Sequence, residues 1–247
     1  MHHFFLDPAQ INSDQVRFPS DISHQIVNVL RLKDDDVVAV LDNSGSIYKV
    51  SLSIDRDSPR VTGKILTTDS ADAEPETGLS LYFGLTHREK VEWILQKGTE
   101  IGVSAFLPFV SARTIVKKTT LSRNKFDRWV RIIREAAEQS HRGRLPVLNP
   151  PKPLAACFAE SKEQHDLRLI AYEEAQAQGD SLRDLIRKNQ FEKVALFIGP
   201  EGGFAKEEIL LAEKEGCAII SLGARILRME TAAVVLPALV LYELGEL

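Results

Sequence analysis

The sequence predicts an α/β protein: a domain built on a largely parallel sheet, preceded by a small β-barrel. Three observations lead there. Apolar runs of strand length, Leu79 to Leu85, Leu167 to Tyr172, Val194 to Ile198 and Ala218 to Leu222, alternate with stretches of helical period, as repeated βαβ units require. Before residue 69 the period is strand-like and the segments are short. Between these regions, Asp69 to Gly78 is acidic, rich in small residues and broken by Pro75, with no apolar period, so it reads as a linker. The expected domains are residues 1–72 and 73–247. With 247 residues, 44% hydrophobic and 27% charged, the chain can fill two such cores, and the composition excludes a disordered, collagen-like or disulfide-stapled protein.

The elements follow in order. Val37 to Leu41 is a strand, Asp42-Asn43-Ser44-Gly45 a turn, and Tyr48, Val50, Leu52 and Ile54 alternate with Lys49, Ser51 and Ser53 on the returning strand. Beyond the linker, Val91, Ile94, Leu95, Gly98 and Ile101 form the apolar stripe of a helix, with Lys90, Lys97 and Glu100 off it. Trp129, Ile132, Ile133, Ala136 and Ala137 mark a second helix, on which Arg131 and Glu135, and Arg134 and Glu138, stand four apart and partly neutralise each other. Lys206 to Glu215 reads as another helix. The apolar run Ala232 to Tyr242 belongs to a last helix and is shorter than the roughly 20 residues a bilayer span needs. The first residues show no basic segment leading into a long apolar run, so the expected location is cytoplasmic, away from membranes. Cys157 and Cys217 belong to no Cys-x-x-Cys pair or zinc-spaced cluster, which predicts reduced, buried thiols and no metal site.

Two loops carry the chemistry. Ile198-Gly199-Pro200-Glu201-Gly202-Gly203-Phe204 follows a strand and precedes a helix, so its glycines permit a tight turn that brings backbone amides close to a ligand, or serve only the turn itself. The loop lacks the Gly-x-Gly-x-x-Gly of dinucleotide folds, which argues against an NAD-dependent oxidoreductase, and the Gly-Lys-Ser/Thr of a P-loop. The second loop, Ser221 to Ala232, also follows a strand, and two such loops at one sheet edge suit an adenine and ribose. Within it Arg228 and Glu230 interrupt an apolar passage, where charge is costly unless it is functional or paired in a structural salt bridge.

The net charge of −4 conceals a segregation. From Arg113 to Arg144 ten basic residues (Arg113, Lys117, Lys118, Arg123, Lys125, Arg128, Arg131, Arg134, Arg142 and Arg144) face three acids, whereas from Glu201 onward eight glutamates face four basic residues. Such a basic run is either a polyanion-binding face or a set of solvated helix faces.

Taken together, Lys97-Gly98-Thr99-Glu100-Ile101-Gly102-Val103, Glu135-Ala136-Ala137-Glu138-Gln139-Ser140 with Arg142 and Arg144-Leu145-Pro146, the Ile198 to Phe204 loop, and Leu222-Gly223, Ile226-Leu227-Arg228 and Glu230-Thr231-Ala232 resemble the successive motifs of the bacterial 16S ribosomal RNA uracil N(3)-methyltransferases. The resemblance spans nearly the whole chain, including His24, Val29-Leu30-Arg31 and the Tyr48 hairpin near the N-terminus. It implies a PUA-like RNA-binding barrel followed by a SPOUT-type methyltransferase domain with a C-terminal trefoil knot around S-adenosylmethionine. A homodimer acting on 16S ribosomal RNA of the small subunit is also implied, with no metal. His141 and Met229 depart from the pattern, standing where a small residue and a threonine are expected, so Met229 receives no catalytic role.

On this reading the cofactor is held by Tyr172, Ile198, Gly199, Pro200, Glu201, Gly202, Gly203, Leu222, Gly223, Ile226, Leu227, Arg228, Thr231 and Ala232. Methylating a uracil ring nitrogen requires removing its proton, so a cation near the developing anion and a carboxylate acceptor both help. Arg228 is the candidate for the first task and Glu201 and Glu230 for the second. Arg17, Arg31, Arg113, Gln139, Arg142 and Arg144 are the candidate RNA contacts, because guanidinium groups pair with phosphates and stack on bases. Two readings compete: methylation of another RNA base or a ribose on the same fold, and a non-catalytic RNA-binding ribosome-assembly protein.

Overall fold

The computed structural model describes residues 1–55, 60–71, 73–117, 119–175, 182–187 and 190–247, and every count below is of these residues. The chain divides into two units, Met1–Glu74 with Ala137–Leu145, and Pro75–Ala136 with Pro146–Leu247.

The first unit contains β1 (His3–Phe5), β2 (Gln15–Arg17), helix α1 (Ser20–His24), β3 (Val37–Leu41), β4 (Ser46–Ile54) and β5 (Val61–Ser70). These strands form one sheet in the order β1-β3-β4-β5-β2, antiparallel except for the β1 and β3 pair. The expected turn between β3 and β4 forms, with Asn43 and Gly45 at positive φ. Val38, Val40, Val50 and Leu52 point into a core with Phe4, Val16 and Ile26, as the alternation requires. The linker begins later than its composition suggests, since β5 continues through Ser70, and Asp72 lies outside the described residues.

Ala137–Leu145 folds with this unit, which a boundary drawn along the sequence at 72/73 does not anticipate. Its contacts explain why. Ala137 is buried in a cluster with Phe5 and Leu41, against which Leu145 packs. The Glu74 carboxylate accepts hydrogen bonds from Arg142 Nε (3.2 Å) and Nη2 (2.7 Å) and from the backbone N–H of Gly143 (2.9 Å) and Arg144 (3.1 Å).

The second unit is a three-layer α/β structure. Its strands, β6 (Gly78–Gly84), β7 (Ala105–Val110), β8 (Val147–Leu148), β9 (Lys152–Pro153), β10 (Leu167–Ala171), β11 (Lys193–Ile198) and β12 (Ala218–Ile220), form a seven-stranded sheet. The order is β12-β10-β11-β6-β7-β8, with β9 also on β7, and every pairing is parallel. The helices are α2 (Arg88–Ile101), α3 (Arg123–Gln139), α4 (Leu154–Gln164), α5 (Leu182–Arg187), α6 (Lys206–Lys214) and α7 (Met229–Leu244).

Both sheet faces are covered, which is why β11 reads as a continuous apolar run. Its side chains still alternate between cores. Val194, Leu196 and Ile198 pack with α2, α3 and α7 through Ile94, Trp129 and Leu236, whereas Ala195 and Phe197 pack with α4 and α6 through Phe158 and Ile209. Strand β7 and helix α4 carry no clear period and escaped the sequence reading. Pro108 in β7 is tolerated because β8 pairs at Ala105 and Phe106 and β9 at Phe109 and Val110, leaving no pairing on that side at the proline. Cys157 and Cys217 are buried free thiols, pushed up by burial to about 12 and about 11, and are therefore inert.

Glu92 of α2 accepts hydrogen bonds from Arg128 Nε (2.6 Å) and Nη2 (2.8 Å) of α3 and from Arg88 Nε (2.7 Å). The bonds from Arg128, foremost, hold its carboxyl at about 2 against partial desolvation. A depressed folded-state value stabilises above the unfolded value and is lost as pH falls through the folded one. The stability difference between wild type and Glu92→Gln, measured by urea unfolding, is therefore expected to persist above pH 4.5 and shrink to nothing as pH falls to about 2.

Candidate active site

A parallel sheet sends the C-terminal end of every strand to one edge, and ligands bind there where the chain direction across the sheet reverses. Here β11 lies between β10 and β6, and from β6 the chain continues outward to β7 and β8. At this point the segments after β10, β11 and β12, with the first turns of α2 and α7, enclose a cavity of about 430 Å³. That size falls within the range of small-molecule sites, roughly 300–1,000 Å³.

Close backbone packing shapes the walls. A Cβ on Gly84, the last residue of β6, would stand 2.6 Å from the Pro200 nitrogen, so glycine there lets the loop after β11 lie against the strand end. Gly223 has φ +105° with nothing within 4 Å of a Cβ, so its role is conformational.

Most of the residues chosen from sequence come together. Tyr172, Ile198, Gly199, Pro200, Glu201, Gly203, Leu222, Gly223, Ile226, Leu227, Arg228 and Ala232 all line the cavity. Gly202 and Thr231 do not. The Gly202 carbonyl instead accepts a 3.0 Å hydrogen bond from Arg113 Nη1, and Thr231 sits on α7 outside the lining. Met229, buried, lines the cavity where the resemblance expects a hydroxyl. Arg228 is exposed at the N-cap of α7 and makes no ion pair among the described residues, so of the two charges in this passage only Glu230 sits in a salt bridge. The loop carrying it is open to water, with Ile226 84% exposed, and the arginine stays hydrated.

Among the lining residues missed by sequence reasoning are Glu173, Arg225 and, ion-paired with two other residues, Lys90. Its place off the apolar stripe of α2 suggested a solvated side chain, yet it lines the cavity and its Nζ lies 3.2 Å from Glu201 Oε1 and 3.4 Å from Glu230 Oε2. The available signal was positional: Lys90 falls in the first turn of the helix after β6, at the edge where ligands bind. Desolvation lowers the Lys90 pKa, but the two glutamates outweigh it and hold the ammonium above its ordinary value. Burial raises Glu201, and hydrogen bonds from the Thr86 hydroxyl, its own N–H and Lys90 more than offset this, keeping it below the usual carboxylate range. Glu230 Oε2 is buried and accepts no directed hydrogen bond.

Among the candidate RNA contacts, Arg17, Arg31, Arg113, Gln139 and Arg144 are exposed. Arg142 is a correction: it is 3% exposed, with its guanidinium on Glu74, and has no free face for a phosphate. Arg144 Nη2 donates to the Ser44 carbonyl at 3.0 Å. His141, the other departure, adopts φ 61° and lies against His3 with ring centroids 4.0 Å apart and the planes tilted by 34°. Lys118 lies outside the described residues. No group of three or more metal-ligating side chains occurs among the described residues, and no helix there is long and apolar enough to cross a membrane.

Residues 73–241 match the family model described as an RNA methyltransferase domain. Ribosomal RNA small subunit methyltransferase E of Bacillus subtilis (strain 168) is 35% identical over 215 residues, 85% of this chain and 82% of its own length. The chain belongs to this RNA methyltransferase family. The same-named protein of Synechocystis sp. (strain ATCC 27184 / PCC 6803 / Kazusa) is 33% identical, covering 92% of this chain and 73% of its own. Among solved structures, the small subunit methyltransferase E of Neisseria gonorrhoeae bound to S-adenosyl methionine superposes with a TM-score of 0.85 at 26% identity, covering 98% of this chain and 97% of that one. A Legionella pneumophila methyltransferase in complex with the same cofactor gives 0.83 at 25% identity, over 97% and 96%. The motif resemblance therefore identified the family.

Because a β-branched side chain at φ +105° is strained, Gly223→Val is expected to lose cofactor binding while remaining folded. Titration calorimetry with S-adenosylmethionine, beside a circular dichroism spectrum, checks this, and undiminished affinity would remove Gly223 from the site.

Proposed function

We propose that this chain methylates the N(3) position of a uridine in 16S ribosomal RNA of the small subunit, using S-adenosylmethionine. The observation that carries the reading is the cavity at the strand ends, walled by the two glycine loops in a chain of the RNA methyltransferase family. The residues present fit the cofactor. Glu173, Glu201 and Glu230 stand in or beside the cavity, with Lys90, Arg225 and Arg228 as its only cations among the described residues, and the exposed backbone of the Gly199 and Gly223 loops suits a nucleoside. When bound, S-adenosylmethionine supplies an electrophilic methyl group on a sulfonium.

The chain's own residues then have separable tasks. Arg228, exposed and lining the cavity, stabilises the negative charge that develops on the uracil ring as N(3) loses its proton. Glu201 is already ionised and accepts that proton, though the Thr86 and Lys90 bonds make it a weak base. Glu230 is the second acceptor. Residues 1–72 act as the PUA-like RNA-binding barrel and 73–247 as the SPOUT-type domain. The interior place of β11, and the packing of α7 against α2, β6 and β11 after it leaves the edge strand β12, support a trefoil knot in the latter. The protein works as a cytoplasmic homodimer.

Arg228→Ala is expected to lower turnover by about 10²-fold, the loss typical of one removed transition-state donor, with cofactor affinity nearly unchanged. Nucleoside mass spectrometry of small-subunit RNA measures the product; normal turnover per folded molecule would take Arg228 out of the mechanism. For RNA affinity against salt, Arg17→Ala, Arg31→Ala and Arg144→Ala are each expected to flatten the log–log slope by roughly 0.7–0.9. Arg142→Ala should instead lower the melting temperature, because it strands Glu74.

A further inference from the structure

We propose that Lys90 is a positioning residue of the methyl-transfer site, which holds two carboxylates from different elements on one ammonium at the cavity wall. The inference rests on the functional reading above and extends it to a residue that belongs to neither loop motif but contacts one glutamate of each. Glu201 comes from the loop after β11 and Glu230 from the first turn of α7. Nothing in the backbone requires them to share a cation, yet the Lys90 ammonium lies within ion-pair distance of both, at 3.2 and 3.4 Å. Its own helix, α2, begins just after β6, so one side chain ties together three segments that meet only in the tertiary fold.

The charges around this group make the bridge necessary. Glu201 also accepts a hydrogen bond from the Thr86 hydroxyl, but Glu230 Oε2 is buried without a directed hydrogen bond, so Lys90 is the cation that balances it. Glu173 and Tyr172 after β10, Arg225 after β12 and Arg228 at the start of α7 line the same cavity. On α2 itself Arg88 is engaged with Glu92. Without Lys90, two carboxylates confront each other in a partly desolvated space, and like charges in one site push one of them towards the protonated state. A protonated Glu201 or Glu230 neither accepts the uracil proton nor attracts a cationic ligand group. Lys90 therefore acts through the glutamates rather than on the reacting atoms.

The test is a pH titration of glutamate side-chain carboxyls by ¹³C NMR on the full chain without cofactor. Wild type, Lys90→Met, Lys90→Arg and the double variant Lys90→Met/Glu230→Gln are compared, together with S-adenosylmethionine affinity by calorimetry at several pH values. In Lys90→Met one glutamate is expected to titrate at least one pH unit higher than any cavity glutamate of wild type. Its cofactor affinity should then fall about tenfold as pH drops through that value. Lys90→Arg should restore the wild-type titration, and the double variant should abolish the raised titration by removing the repulsion. A Lys90→Met protein whose glutamates titrate as in wild type, or a double variant that keeps the raised group, overturns the proposal. Wild-type protein that binds no S-adenosylmethionine would count against the functional reading instead, and the carboxyl titration would still decide the role of Lys90.

Discussion

The direction of the strands in the larger sheet is the constraint on which the site depends. All seven run parallel, so the segments after β6, β7, β10, β11 and β12 all leave from the same edge. That edge therefore collects the loops after β10, β11 and β12 and the start of α2, whatever their sequences. Placing β11 inside the sheet, between β10 and β6, then brings a loop from late in the chain against a strand end formed more than a hundred residues earlier. The contact is close enough that Gly84 has no room for a side chain beside Pro200.

Electrostatics inside the cavity follow from this assembly. The protein carries a net charge of −4, and its glutamates are concentrated after residue 201. Two of them, Glu201 and Glu230, converge on the same ammonium, while Thr86 adds a hydroxyl to the first. Against its partial burial, the Thr86 hydroxyl and the Lys90 ammonium hold the Glu201 carboxyl below the usual carboxylate range. Arg228, by contrast, is exposed on an open loop.

The basic run between Arg113 and Arg144 shows how a count of charges differs from a surface. Arg128 is spent on Glu92, Arg142 on Glu74, and Arg113 holds the Gly202 carbonyl in part. Glu74 comes from a stretch that the sequence marks only as a linker, yet it organises the segment Arg142 to Arg144 with four hydrogen bonds. A buried bidentate pair of this kind orders a loop, and Arg144 beside it stays exposed.

The sequence by itself determined the longer periodic elements and most of the cavity lining. The strand Val37–Leu41 and the helices over Val91 to Ile101 and Trp129 to Ala137 announce themselves through apolar period, because each must bury one face against a sheet. The two glycine loops were legible for a local reason as well: glycine at a strand's end marks backbone that must turn sharply or pass close to a neighbour. What needed the tertiary structure was every relation between charges. Lys90 stood only as a residue off an apolar stripe, Arg142 as a phosphate contact, and Glu230 as a charge in an apolar passage with no partner named, because period and spacing report one element's faces and not which element lies opposite. Partners such as Glu201 for Lys90 and Glu74 for Arg142 stand 111 and 68 positions away, and only the tertiary packing within each unit brings them within 4 Å.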